Sequence, residues 1–395
     1  MWSTLFTIIV AVVLILGFSA ADANHDDISA FTASPADKQQ STQQPVRGID
    51  VAGYHSTSLT HIFLPFMESQ LIDVKHLIQH WWGAYKPCER RDWEFLQKWR
   101  QRSSGNDPDN VQTKVKLALV VGRVVSDEAE ESELDALRKD QELESTIRGS
   151  IRFCESFLEC LDRTLNICVV RFSSGDATAH RDRRFYEMML KGQCVRGRRG
   201  YAFFLEPNTF PVAERWLTNL ATAIAFPAPA SWLIGPAFRG NTSGISSFNT
   251  PALYHMNRNQ LVRLSNDLER DEPEDTATHQ VVLEDQPRPI AQTSFAHLYF
   301  DKIKPFWAQR EASSIPVDEQ IFGFMMQSEN WNIVRGMLFH RMRFTNLILD
   351  ISGLSWTPRT VHKRWGDEDV VLVHGYKPNG SELAELPSQE GCALV

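Results

Sequence analysis

The feature that most constrains this chain is a rhythm. Short apolar runs alternate with stretches whose apolar residues fall at helical spacing. LTHIFLPF (59–66), KVKLALVVGRVV (114–125), LNICVVRFS (165–173) and the almost wholly apolar YAFFLEP (201–207) read as strands. Between the first two, Glu68 to Tyr85 carries Leu71, Val74, Leu77, Ile78, Trp81 and Trp82 on one helical face. The acidic stretch Asp127 to Glu144 reads as a solvated helix, and IRFCESFLECL (151–161) and RDRRFYEMMLKG (181–192) as two more. Helical patterns resume from Ser294 to Phe344, and VVLVHG (370–375) is a last strand. Strands alternating with helices predict an α/β fold with a mainly parallel sheet flanked by helices. Ligands in such sheets sit beyond the carboxyl ends of the strands. Trp81, Trp82 and Trp99 share helical spacing with other apolar residues and are expected in the core.

Composition narrows the function classes. The 395 residues are 43% hydrophobic and 23% charged, which is ordinary for a globular protein. Formal charge is 41 − 49 = −8, so a broad basic surface for nucleic acid is not expected. Six cysteines form no C-x-x-C pair, which argues against a zinc ribbon. Their even count permits disulfides, but the pairing stays open. The absence of G-x-S-x-G removes the commonest esterase form.

The first residues suggest where the chain works. Trp2 to Ala21 is apolar and uncharged, long enough for a membrane-spanning signal anchor. Ala21 and Ala23 resemble a signal-peptide cleavage site, so secretion is the alternative. Either reading sends the rest into the secretory lumen, most simply the Golgi as a single-pass type II membrane protein. Residues 22–57 are rich in Ser, Thr, Gln, Asp and Ala and read as a disordered stem. The folded domain is expected over 58–380, with a loop insertion at 266–292 and a flexible tail at 381–395. Sequons at Asn241 and Asn379 agree with a lumenal glycoprotein. The terminal Cys392-Ala-Leu-Val is no prenylation box in a lumenal tail.

Four places carry candidate chemistry. Glu206 emerges from an apolar strand, where a charge is costly unless paired, capped or bound to a cation; turn chemistry in Glu206-Pro207-Asn208-Thr209 is its plainer reading. His374-Gly375 with Lys377 follows the last strand and combines a metal ligand, a close-approach glycine and a phosphate partner. Asp318 and Glu319 open a long helix, where acids favour the dipole and one of them can also serve as a general base. His255 to Asn259 offers donors for hydroxyls or phosphates. Arg181, Arg183 and Arg184 precede the Glu206 strand; a diphosphate contact is one reading and a solvated helix face the other.

Taken in order, these motifs resemble nucleotide-sugar-dependent glycosyltransferases of the GT-A type. The likeness is strongest to a group of glycosyltransferase-like proteins of plants, algae and protists with E-P-D, P-[IV], W-L, R-G and H-x-N-x-N motifs. Here these read Glu206-Pro207-Asn208, Pro211-Val212, Trp216-Leu217, Arg239-Gly240 and His255 to Asn259. Asp318-Glu319-Gln320 and His374-Gly375 with Lys377-Pro378 resemble the acidic and C-terminal elements of such enzymes. The resemblance implies a GT-A-like, Rossmann-like sheet, a nucleotide-sugar donor and a glycan or glycoprotein acceptor. It implies Mn²⁺ or Mg²⁺ held by Glu206, Asn208 and His374. It makes Asp318 or Glu319 the base, and Arg239, His255, Asn257, Asn259 and Lys377 the substrate contacts. Asn208 departs from the pattern, because an Asp is expected there; a neutral amide is a weaker oxygen ligand.

Overall fold

The computed structural model describes residues 58–103, 114–125, 132–194, 200–225, 231–238, 251–256, 295–310, 315, 317–325, 327, 330, 342–352, 357, 360–361, 363–364 and 370–376. All lie in the unit Val51–Val395. The expected anchor, stem, insertion and tail lie outside them. Among the described residues no helix is long and apolar enough to cross a membrane.

The apolar run near residue 60 forms β1 (Leu59–Met67), buried on both faces over its first eight residues. That burial explains why it reads as a continuous hydrophobic run rather than an alternation. The chain then turns into α1 (Leu71–His76), passes through a π turn at Leu77–Trp81, and reaches α2 (Arg90–Ser103). Next come β2 (Val115–Val125), α3 (Glu133–Ser150), β3 (Leu161–Ser173) and α4 (Thr178–Leu190). β4 (Gly200–Phe204), β5 (Thr209–Pro211), α5 (Trp216–Ala225), β6 (Leu233–Phe238) and β7 (Ala252–Met256) follow. The remainder holds α6 (Phe295–Leu298), a π turn at Tyr299–Ile303, α7 (Lys304–Ala308), α8 (Val317–Met325), β8 (Met342–Asp350) and β9 (Leu372–His374).

Among the described residues the strands form one sheet in the order β3-β2-β1-β4-β7-β6-β8-β9-β5. β3, β2, β1 and β4 run parallel, as do β6, β8 and β9. β7 and β5 are antiparallel to their neighbours. The sheet is therefore mixed and mainly parallel, with helices on both faces. Ile62, Leu64 and Phe66 of β1 enter one core with Trp82, Leu143, Ile147 and Trp216. Phe63 enters the other, with Tyr186, Tyr254, Tyr299 and Phe324. Period-two alternation along β1 thus feeds two separate cores.

Four expectations need correction. Residues 151–161 are not a helix: a 3₁₀ turn at Glu155–Glu159 leads straight into β3. Cys160 is fixed there by a disulfide to Cys88, and its carbonyl accepts the Val115 amide at 2.7 Å. The acidic helix lies at Glu133–Ser150, because Ser132 caps it by accepting the Asp135 amide. Helix does not run on to Phe344, since β8 begins at Met342 and pairs with β6. The Glu206 strand ends at Phe204, so Glu206 stands beyond the ladder.

Candidate functional site

Glu206 is placed by the way β4 ends. The Leu205 amide still donates to the Phe63 carbonyl at 2.9 Å, tethering the chain to β1. Pro207 has no amide to continue the ladder. The Thr209 amide then donates to the Glu206 carbonyl at 3.0 Å, closing a tight turn. This turn lifts Glu206 out at the carboxyl end of β4.

β5 begins at once and runs antiparallel to β9, pairing Thr209 with His374. That register joins two sequence-distant segments. The Thr209 hydroxyl and His374 Nδ1 are 3.1 Å apart, and His374 Nε2 lies 3.7 Å from Glu206 Oε2. His374 is buried, whereas the Glu206 side chain remains 30% exposed, so the carboxylate faces an accessible space. The Gly375 amide donates to the Asn208 carbonyl at 3.2 Å, tying the two turns together.

A third segment backs the site. Asp350, at the carboxyl end of β8, stands beside His374 in register and is fully buried. Its carboxylate accepts the Ser352 amide at 2.8 Å. The Ile351 amide donates to the His374 carbonyl at 3.0 Å. Gly375 has φ of +81°, and a side-chain carbon there would collide with Ser352. Only glycine lets the two strand ends close this tightly. Phe210 packs on Trp81 at 4.8 Å and on Tyr376 at 5.9 Å, a rigid aromatic backing for the β5–β9 pair.

These donors suit a divalent cation. Glu206 offers a carboxylate and His374 an imidazole nitrogen. Asn208 Oδ1 is buried and makes no hydrogen bond. In the tautomer with a proton on Nδ1, Thr209 accepts it and Nε2 keeps its lone pair toward Glu206. Carboxylate, amide oxygen and imidazole together are an acceptable partial shell for Mn²⁺ or Mg²⁺, with positions left for water or phosphate. Among the described residues no three His, Cys, Asp or Glu side chains gather as a metal site.

The other expected site residues are distributed differently. Arg239, Asn257, Asn259 and Lys377 lie outside the described residues. His255 is in β7 opposite Tyr201, at the amino end of β4 and away from Glu206. Asp318 and Glu319 are in the first turn of α8, whose Ile321 and Phe324 belong to the second core. Arg181, Arg183 and Arg184 lie in α4; Arg183 donates to the Ile315 carbonyl and Arg184 to the Arg171 carbonyl of β3, which stands three places from β4 in the sheet order. Sequence reasoning missed Thr209 and Asp350. Neither carries a signal alone, because each matters only through the β5–β9 and β8–β9 registers.

No family model matches the chain, and no curated protein matches it. Several solved structures are similar at low scores. The galactosyltransferase LgtC in complex with donor and acceptor sugar analogs is 9% identical, with 83% of this chain and 95% of that chain covered and a TM-score of 0.34. A glycosyltransferase involved in the glycosylation of the major capsid of PBCV-1 is 12% identical, covering 68% of this chain and 96% of its own, at 0.27. The glycosyltransferase GlyE of Streptococcus pneumoniae TIGR4 is 11% identical, covering 83% of each chain, at 0.26. Likenesses at these scores establish neither a shared fold nor a shared activity.

Proposed function

We propose that this chain is a GT-A-like glycosyltransferase, moving a sugar from a nucleoside-diphosphate donor to a hydroxyl of a glycan or glycoprotein. The observation that carries this reading is the meeting of Glu206, Asn208 and His374 at the carboxyl ends of β4 and β9. A divalent cation, Mn²⁺ or Mg²⁺, bound there supplies neutralisation of the charge that develops on the leaving diphosphate. The chain's own residues do the rest. Glu206 contributes the negative charge that holds the cation. Thr209 fixes the His374 ring so that Nε2 points at Glu206. Lys377, three residues past His374, is the expected diphosphate partner. Arg239, Asn257 and Asn259 are the proposed sugar contacts, whereas His255, paired with Tyr201 at the amino end of β4, is not kept among them. Asp318 or Glu319 takes the acceptor proton if the anomeric centre inverts.

A secretory location, with residues 2–21 as anchor or signal, belongs to the same reading. Cys88–Cys160 and Cys168–Cys194 are disulfides, and Cys154 is disulfide-bonded too. Such bonding suits an oxidising compartment. Asn208 favours a second reading, a catalytically silent relative that binds nucleotide or glycan without turnover, since a neutral amide weakens the cation shell.

Thermal shift with nucleoside diphosphates and nucleotide sugars, each with and without Mn²⁺, separates these readings. A bound ligand stabilises the fold by mass action. The transferase reading expects a Mn²⁺-dependent rise for one nucleotide, lost in Glu206→Ala and His374→Ala, with sugar released or transferred on incubation. A rise without turnover supports the silent relative. No rise for any nucleotide contradicts both.

A further inference from the structure

On the opposite side of the sheet from β5, among the described residues, β3 is an edge strand that pairs only with β2. Its backbone shows which residues face outward. The Ser173 amide donates to Asp176 Oδ2 at 2.9 Å. The Leu165 and Arg171 carbonyls accept from Arg148 at 3.3 Å and Arg184 at 2.9 Å. Odd-numbered residues of β3 therefore turn their polar groups away from β2. By the period of two, Ile167 and Val169 do the same. No described residue makes a hydrogen bond to those outward groups, and both side chains are only partly buried. Most edges are blunted by charge, bulge or cover. Here Arg148 and Arg184 cap the two ends, and among the described residues the middle is open.

A groove of about 840 Å³ borders the Val169 end of this stretch. Val169, Val170 and Arg171 all line it, although successive side chains of a strand point to opposite faces. Asp140 of α3 lines it from one face of the sheet, and Arg184 and Lys191 line it from the other. The groove thus straddles the edge itself. Five Arg or Lys residues line it against two carboxylates, in a chain of net charge −8. The two carboxylates are engaged: Asp140 with Arg171 at 2.8 Å, and Glu187 with Lys304 at 2.9 Å. Arg184 lies over Phe172 and Lys191 over Phe300, each at 5.4 Å, and neither has a carboxylate partner among the described residues.

From this we infer that the β3 edge is a docking site for an extended, acidic polypeptide segment of a partner protein. The segment adds as a strand, its backbone pairing with Ile167 and Val169 and its carboxylates meeting Arg184 and Lys191. A second copy of this chain is disfavoured, since edge-to-edge pairing would set the same cations against each other. The Cys168–Cys194 disulfide fastens the chain just beyond α4 to the middle of β3, which holds the groove's walls in place. This inference is independent of the transferase reading.

The test titrates the full chain with a fluorescein-labelled peptide of alternating Glu and Val, following anisotropy. Two further probes are its Lys–Val counterpart and the acidic peptide N-methylated at every amide. Docking by strand addition expects the acidic peptide to bind, and both other probes to bind at least about tenfold more weakly. It expects a similar loss in the Arg184→Glu, Lys191→Glu double variant. Val169→Pro removes an outward amide, which an edge strand tolerates, and is expected to weaken binding without lowering the melting temperature. Equal binding of the N-methylated peptide, or displacement by a sulfated oligosaccharide with Val169→Pro silent, makes this a polyanion site and overturns strand addition. No binding of the acidic peptide overturns it as well, as does dimerisation by light scattering that Val169→Pro abolishes.

Discussion

Gly375 shows how much a single residue controls at this site. Its φ of +81° and its contact with Ser352 leave no room for a side chain. Gly375→Ala is expected to cost about 3 kcal/mol in denaturant unfolding, from left-handed strain plus overpacking. Because Gly375 follows His374 and bonds to the Asn208 carbonyl, the same variant should also weaken Mn²⁺ binding. His61 is the other residue with a distinct signature. It is buried in β1, its Nδ1 bonds to the Thr60 hydroxyl at 2.9 Å, and its Nε2 has no partner. Burial, helped by Lys116, lowers its pKa to about 4. The unfolded chain takes up a proton near the ordinary value of 6.5, and the folded chain does not until about pH 4. Stability is therefore unaffected above pH 6.5 and falls as pH drops toward 4, by ~3 kcal/mol at most. Urea midpoints of the wild type and His61→Leu between pH 4 and 7 should show a shallower slope in the variant.

At the scale of elements, the sequence was legible wherever local pattern and tertiary environment agree. β1 and β2 are continuous apolar runs because a parallel sheet buries both their faces. Residues 151–161 misled because Phe153, Phe157 and Leu161 sit at helical spacing, while the Cys88–Cys160 bond and the pairing of Val115 with Leu161 impose strand. β5 was invisible: three residues carry no periodicity, and only β9 gives them a partner. The π turns at Leu77–Trp81 and Tyr299–Ile303 likewise leave no mark that separates them from an ordinary helix. One element boundary is directly testable. Ser132→Ala removes the cap that accepts the Asp135 amide and should lower stability by about 1 kcal/mol, with α3 fraying first in hydrogen exchange.

At the scale of the whole molecule, the described residues form one sheet whose two ends are built differently. One end gathers Glu206, Asn208, Thr209 and His374 through strand ends far apart in sequence. That assembly was only half legible: motif order named three of the four, and no local signal named Thr209 or the supporting Asp350. Disulfides tie down the other end. The Cys88–Cys160 bond closes 72 residues and should contribute about 4 kcal/mol by restricting the unfolded chain. The double variant Cys88→Ala, Cys160→Ala is expected to lose that amount in guanidinium unfolding while keeping the Mn²⁺ response, because the proposed cation site uses neither residue. The central claim is that Glu206, Asn208 and His374 hold a divalent cation for a nucleoside diphosphate. It is tested most directly by anomalous scattering from crystals grown with MnCl₂ and the nucleotide that gave the thermal shift. The account predicts one manganese peak within bonding distance of Glu206, Asn208 and His374 Nε2, touching the diphosphate. A peak elsewhere, or nucleotide bound with no peak at these residues, would contradict it.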